Sequence, residues 1–412
     1  MTDRLFVYFE NQYIGQLWLE NRAFCFQYRD AWLSDPSAVP LSVRLPLKKE
    51  AFSEDVVRPF FANLLPEGGV RTLVARKLGI SERNDFELLA ALGGECAGAI
   101  SVWPNENHVS ETNKEAIPLS EDELKNLIAG MGDNPLLTMR GELRLSLAGA
   151  QQKIPVLVND GKIFLPGNGA PSSHILKPQS PSFPYLAENE YFCMTLARRL
   201  GWDVPEIMLR GGEFPYVLVE RYDRKKDPQG QLQRLHQEDF CQALGFQDSQ
   251  KYESEGGPGL AACFKLVSEQ STQPAVDKQR LLQWIFFNVF IGNCDAHAKN
   301  ISMLISRQAY KLSPFYDLVS TKAYPHLSAK LAMKVGGQAR PEWILPHHLE
   351  RLAQQAELGI RAVISIGQEV QERLPSMART LLKEFHFNEN AQPLFKRLLQ
   401  QIDTIASKMR FS

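Results

Sequence analysis

The sequence predicts a mixed α/β protein with an α+β distribution: a small N-terminal α/β module, a strand-rich lobe, and an all-helical C-terminal lobe. Three observations predict it. Short period-two runs open the chain at Leu5–Phe9, Ile14–Glu20 and Ala23–Tyr28. A polar stretch, Pro104–Pro118, is nearly free of large apolar residues and divides the module from the rest. From Glu238 onward helical periodicity dominates, interrupted by one β-like run over Ile301–Leu312.

The elements follow in order. Asn11-Gln12 turns the first two strands into a hairpin. Helices are expected over Asp55–Leu65, Gly69–Leu78 and Asn84–Leu92, the last stopping on Gly93-Gly94, and Ala97–Trp103 reads as a closing strand. Ser120 with Glu123 is a capping-box pair for a helix over Glu121–Met131, and Asn134–Glu142 reads as a loop. Strands are expected at Leu143–Leu147 and Lys153–Val158 around a small-residue turn, then at Gly161–Leu165, Ser173–Pro178 and Tyr216–Tyr222. A helix over Ala187–Leu200 stops at Gly201, another covers Lys278–Ile291, and the chain from Pro346 is helical. The domain reading is 1–105, 106–142 as linker and short helix, 143–225, and 226–412.

Composition narrows the function. The 412 residues carry 46 Lys+Arg against 47 Asp+Glu, a formal net charge of −1, which argues against nucleic-acid binding by a global positive field. The longest strongly apolar stretch, around Trp284 to Ile291, is well short of the ~20 residues of a membrane span. The N-terminus does not read as a signal peptide, so a cytoplasmic location is expected. Six scattered cysteines without a C-x-x-C read as buried free thiols.

The chemistry concentrates in Gly292-Asn293-Cys294-Asp295-Ala296-His297-Ala298-Lys299-Asn300, between an apolar helix and a strand-like run. Asp295 and Asn300 lie five positions apart, and Asp317 follows one hairpin later in Pro314-Phe315-Tyr316-Asp317. Phosphoryl transfer needs this set: one carboxylate for the attacking hydroxyl, and an amide oxygen with a second carboxylate for Mg²⁺. The kinase catalytic loop has the same Asp-to-Asn step. Other kinase parts precede it in order. Leu147-Ala148-Gly149-Ala150-Gln151-Gln152-Lys153 is a small-residue turn suited to phosphates, Lys177 ends a strand, Glu188 or Glu190 opens the next helix, and Val217–Tyr222 has the place of an adenine hinge. Each part has a plainer reading on its own: a hairpin turn at Gly149, a strand-edge lysine, a turn residue at Asp317, a structural histidine at His297. The ordered set favours a kinase-like phosphotransferase. Cys294 reads as packing.

Four separated runs resemble the HipA family, the kinase toxins of type II toxin–antitoxin modules: Ser146 to Lys153, Lys251-Tyr252-Glu253-Ser254-Glu255-Gly256-Gly257-Pro258-Gly259, Asp295 to Asn300, and Ser313 to Leu318. The resemblance covers nearly the whole chain. It implies a two-lobed protein-kinase-like fold and an ATP- and Mg²⁺-dependent serine/threonine-protein kinase. An aminoacyl-tRNA synthetase, best known as glutamyl-tRNA synthetase, is the implied substrate, with growth arrest as the outcome. Carried over by motif, Asp295 is the catalytic base and Asn300 and Asp317 bind Mg²⁺. Ala148, Gly149, Ala150, Gln151, Gln152, Lys153, Lys177, Glu220, Arg221, Tyr222, His297, Lys299, Asn300, Tyr316 and Asp317 surround ATP, and Ser146 matches an autophosphorylated serine. The implied partner is a HipB-like helix-turn-helix antitoxin through which the complex meets operator DNA.

Two departures stand out: Gln152 where the family pattern leads one to expect glutamate, and Ala296 where glycine is frequent. Both leave the metal ligands in place. The alternatives are a small-molecule phosphotransferase, which the N-terminal module and the Ser146 loop disfavour, and a catalytically silent co-repressor, which the intact Asp295, Asn300, Asp317 and Lys177 disfavour.

Overall fold

The computed structural model describes residues 4–106, 115–130, 151–167 and 169–411. Ser146, Ala148, Gly149, Ala150, the expected strand Leu143–Leu147 and the loop before it lie outside those residues.

The chain begins with β1 (Arg4–Phe9), β2 (Gln12–Glu20) and β3 (Ala23–Tyr28), then α1 (Asp30–Leu33), α2 (Glu54–Ala62), α3 (Gly68–Leu78), α4 (Asp85–Leu92) and β4 (Ile100–Trp103). Then come β5 (Ile117–Pro118), α5 (Glu121–Gly130), β6 (Ile154–Asn159), β7 (Lys162–Leu165), β8 (His174–Pro178), α6 (Leu186–Arg199), β9 (Ile207–Arg210) and β10 (Tyr216–Glu220). The remainder comprises β11 (Arg224–Lys226), β12 (Leu232–Arg234), β13 (His236–Asp239), α7 (Phe240–Leu244), α8 (Leu260–Gln270), α9 (Pro274–Ile291), β14 (Ser302–Ile305), β15 (Tyr310–Leu312), α10 (Pro346–Ala356), α11 (Ile360–Glu384) and α12 (Gln392–Lys408), with short 3-10 turns between.

The chain divides into two compact units. The first is Met1–Pro178 with Gly211–Asp248 and Leu304–Ala309; the second is Gln179–Arg210, Ser249–Met303 and Tyr310–Ser412. In the first unit one sheet has the order β3-β2-β1-β4, and a second runs β5-β7-β6-β8-β10. The period-two runs form because alternate residues bury: Leu5 and Val7 on β1 and Phe24 and Phe26 on β3 face a core with Phe60 and Phe61 of α2. Phe26 and Phe61 ring centroids lie 5.7 Å apart. Ser120 caps α5 as its capping-box pair with Glu123 predicts, the Ser120 hydroxyl accepting from the Glu123 N–H at 3.3 Å.

Two boundaries and one unexpected strand pair differ from expectation for identifiable reasons. Helix α2 stops at Ala62 rather than Leu65, because the Asn63 side-chain amide donates to the Pro59 carbonyl at 2.6 Å in place of the helical ladder. Strand β10 ends at Glu220 rather than Tyr222, because the chain turns there to carry Arg221, Asp223 and Arg224 inward. The β11–β12 pair has no hydrophobic alternation; its turn is tied by the Asp227 side chain, which accepts from the N–H groups of Gln229 and Gln231 at 2.9 and 2.8 Å.

The second unit is built around α9. Pro274 starts it, and its side chains are buried on nearly every face from Leu281 to Ile291, so it runs through a core rather than along a surface. Helices α8, α11 and α12 pack against it. Among the described residues no helix is long and apolar enough to cross a membrane. Five of the six cysteines are buried free thiols, and Cys25 is partly exposed.

Candidate active site

Helix α9 ends on Gly292, whose φ of 70° is left-handed. A Cβ there would lie 2.8 Å from the Gln401 side chain, so glycine is required by conformation and by space. The loop that follows is held at both ends. The Asn293 side chain donates to Asn288 Oδ1 at 2.8 Å and accepts the Asp295 N–H at 3.1 Å. Thr321 Oγ1 accepts the Cys294 N–H at 2.7 Å and donates to the Gly292 carbonyl at 3.1 Å. Burial pushes the Cys294 thiol up to about 11, against the opposing pull of Lys322, which suits a packing role.

Asp295 sits on this braced loop with its carboxylate 49% exposed, while His297 beside it is 5% exposed. The Asp295 carbonyl accepts the His297 N–H at 2.9 Å and the Asn300 side-chain amide at 3.0 Å. Asn300 thus uses its NH₂ on the loop itself and keeps its amide oxygen for another partner. His297 Nε2 lies 3.9 Å from Asp295 Oδ1, and its ring meets the Tyr252 ring edge-on at 5.4 Å. The Tyr252 phenol donates to Asp295 Oδ1 at 2.6 Å.

Asp317 reaches the same region by a separate tether. The Tyr316 hydroxyl donates to the Lys299 carbonyl at 2.8 Å and lies 2.6 Å from Ser302 Oγ, which fastens the Tyr316-Asp317 segment to the Asp295–Asn300 loop. Asp317 itself has φ 53°, a left-handed conformation uncommon for a non-glycine residue and of the kind that clusters at functional sites. The amide oxygen of Asn300 and the carboxylate of Asp317 are both hard oxygen donors, the donor type that Mg²⁺ takes. Among the described residues no group of three or more His, Cys, Asp or Glu could hold a metal alone. The Ala296 methyl lines a small, mostly apolar cavity with Trp284, Val289, Leu331 and Met333, to which Asn288 adds one polar side chain.

The remaining candidates are placed as follows. Lys177 is buried on β8, opposite Val217 of β10. Gln151, Gln152 and Lys153 are half-buried just before β6. Glu188 and Glu190 are buried in the first turns of α6, and burial raises the Glu188 carboxyl above its usual range. Glu220 is exposed at the end of β10, and Tyr222 hydrogen-bonds Gln237 through its hydroxyl. Arg221 is different. Its guanidinium is spent inside the protein, on Asp223 at 2.9 and 2.7 Å, Glu95 at 3.0 Å, Ser172 Oγ at 2.9 Å and the Cys96 carbonyl at 3.0 Å. Its N–H donates to the Ser173 carbonyl at 2.9 Å.

Glu95 is the centre of that cluster. Arg221 and Arg224 reach its Oε1, at 3.0 and 2.8 Å, and Arg234 pairs with its Oε2. Burial alone would raise the Glu95 carboxyl; the guanidinia of Arg234, Arg224 and Arg221 outweigh it and hold the group far below the usual carboxylate range. Glu95, Asn293, Thr321 and Tyr252 are the site and support residues that sequence reading did not assign. Tyr252 and Asn293 carried a signal, their places in the Lys251–Gly259 and Gly292–Asn300 runs.

Residues 5–103 match the family model of the HipA N-terminal domain, and residues 145–378 match that of the HipA-like C-terminal domain. The chain belongs to the HipA family. It is 42% identical over 370 residues to the putative kinase Y4mE of Sinorhizobium fredii, covering 88% of each chain. It is 33% identical over 378 residues to the serine/threonine-protein kinase toxin HipA of Shewanella oneidensis, covering 88% of this chain and 85% of that one. A solved structure of the Shewanella oneidensis toxin–antitoxin complex of HipA, HipB and operator DNA superposes with a TM-score of 0.86 at 28% identity, covering 98% of this chain and 97% of that one. The fold is the mixed α/β, kinase-like fold of HipA, and the activity of this HipA-family chain is that of a serine/threonine-protein kinase.

Proposed function

We propose that this HipA-family kinase is the toxin of a toxin–antitoxin pair, and that it transfers the γ-phosphate of ATP to a serine of a protein substrate with Asp295 as base. The observation that carries this reading is the joint placement of base and metal ligand: Asp295 presents a half-exposed carboxylate on the loop that Asn300 closes with its own amide. In the transfer, the acceptor oxygen bonds to the γ-phosphorus, the bond from that phosphorus to the ADP oxygen breaks, and the hydroxyl proton passes to the Asp295 carboxylate. Mg²⁺, when bound, neutralises charge on the phosphates. Asn300 and Asp317 hold it, and Lys177 binds phosphate. Residues 148–153 cover the phosphates, and Glu220 to Tyr222 line the adenine, with Arg221 fixing the turn rather than reaching the base. His297, Lys299 and Tyr316, with Asn300 and Asp317, complete the ATP site.

In this reading 1–105 is the N-terminal module, 106–142 the linker, 143–225 the nucleotide-binding lobe and 226–412 the lobe that carries the base. The partner is a HipB-like helix-turn-helix antitoxin, through which operator DNA is met; the solved complex of the Shewanella relative supports this. The substrate is an aminoacyl-tRNA synthetase, the work is done in the cytoplasm, and autophosphorylation at Ser146 inactivates the kinase by adding about −1.5 to −2 charge beside the phosphate loop. The test is phosphotransfer from radiolabelled ATP, with phosphoproteomics after brief expression of wild type and Asp295→Gln. The wild type alone should label a synthetase serine. Equal labelling by Asp295→Gln would overturn the assignment of the base, and labelling of small metabolites alone would overturn the protein substrate.

A further inference from the structure

We propose that Tyr252 is a positioning residue for the catalytic base, and that the Lys251–Gly259 run exists to hold it there. The proposal deepens the reading of Asp295 as base and rests on it.

A carboxylate on a half-exposed loop residue turns easily about its terminal torsion. The loop hydrogen bonds described above fix the backbone of Asp295, through its N–H and its carbonyl, and leave the side chain's rotation to be set elsewhere. Tyr252 sets it. Its phenol donates to Oδ1 at 2.6 Å, and its ring is fixed by the edge contact with His297. With Oδ1 occupied by a donor that keeps its own proton, Oδ2 is the oxygen presented to the acceptor hydroxyl and the one that takes its proton.

The run is shaped for this task. Glu253–Glu255 is a 3-10 turn, and the Gly257 N–H closes back on the Tyr252 carbonyl at 2.9 Å. A Cβ at Gly257 would lie 2.2 Å from the Gln250 carbonyl oxygen and 2.8 Å from that of Tyr252, so the turn closes this tightly only with glycine. The far side of the turn is anchored through Glu253. Its N–H donates to the Ala332 carbonyl at 3.1 Å, its Oε2 accepts the Lys334 N–H at 2.6 Å, and its Oε1 lies 3.6 Å from the Lys334 ammonium. The phenol is therefore carried by a turn fastened to a second backbone segment, and its ring rests as well on His297 of the loop it orients.

The test is Tyr252→Phe in the full chain, which keeps the ring and its contact with His297, with casein as the acceptor probe and Asp295→Gln as the control. Expected are a kcat lower by about 10- to 100-fold, an unchanged KM for ATP and an unchanged thermal midpoint. A kcat equal to wild type while Asp295→Gln is inactive would overturn the proposal and leave the base assignment standing. A raised kcat would make the phenol a latch on the carboxylate, and a fall in thermal midpoint with a higher KM for ATP would make it a structural strut; either overturns the proposal. Activity of Asp295→Gln would overturn the underlying reading instead.

Discussion

The side-chain amide of Asn300 donates to the backbone carbonyl of Asp295 at 3.0 Å. In the proposed reading, one residue thereby closes the loop that carries the base and keeps an amide oxygen for the metal ion. Asn300→Ala removes both roles at once. Turnover should fall by about 100-fold or more, and the residual activity should need more Mg²⁺. A magnesium titration of kcat measures this; a wild-type response in the variant would show that Asn300 holds no cation.

Tyr316 joins the Asp317 segment to the loop before it. Tyr316→Phe leaves the Lys299 carbonyl without the phenol and removes the contact with Ser302 Oγ. A stability loss of about 1–2 kcal/mol is expected, with turnover falling further than stability explains because Asp317 loses its tether. Chemical denaturation beside initial rates separates the two; a variant with native stability and native rate would show that the tether is dispensable.

The buried cluster predicts acid sensitivity in the first unit. Burial would raise Asp223, but Arg221 and Arg224 hold it down to about 2, and Glu95 is lowered further. A depressed carboxylate contributes stability that is present above its unfolded value, near 4, and lost as pH falls through its folded value. Thermal midpoints should therefore decline between about pH 4 and pH 2. Glu95→Ala leaves three guanidinia facing one carboxylate and should cost about 3–5 kcal/mol at pH 7. A midpoint within a degree of wild type would contradict this.

Glu238 has the opposite sign. Burial pushes its carboxyl up to about 8, beyond what the Val43 N–H and the Ser42 hydroxyl offset, with Asp239 adding to the rise and Arg44 opposing it. The folded state keeps the proton to higher pH than the unfolded chain, so this stability is present below the unfolded value near 4.3 and lost as pH rises through 8. Glu238→Gln retains an acceptor for Val43 and removes the titration. The midpoint of the variant relative to wild type should rise from pH 5 to pH 8; a constant difference would mean that Glu238 does not titrate in this window.

The sequence made local relationships legible. Asp295, Asn300 and Asp317 are separated by a loop and a hairpin, so the set that the proposed function uses could be picked out from spacing. The core strands and α9 were legible because burial enforces their periodicity. Residues whose partners lie far along the chain were not. Glu95 reaches Arg221, and Thr321 reaches Cys294, only after folding. The β11–β12 pair was missed because Arg224-Lys225-Lys226 and Leu232-Gln233-Arg234 have charge where a strand pattern would show alternation. The Lys251–Gly259 run was visible as a motif without a role, because its role depends on which carboxylate the phenol meets.

The five charges of the Glu95 cluster (Glu95, Asp223, Arg221, Arg224 and Arg234) also bear on how the chain can be recombined with its relatives. Glu95 comes from the segment matched by the N-terminal family model and its arginines from the segment matched by the C-terminal one. Any graft of a foreign N-terminal module onto this kinase must bring a carboxylate to that point. Without one, Arg221, Arg224 and Arg234 repel one another in a dry interior. Substitutions on one side of the cluster therefore have to be answered on the other.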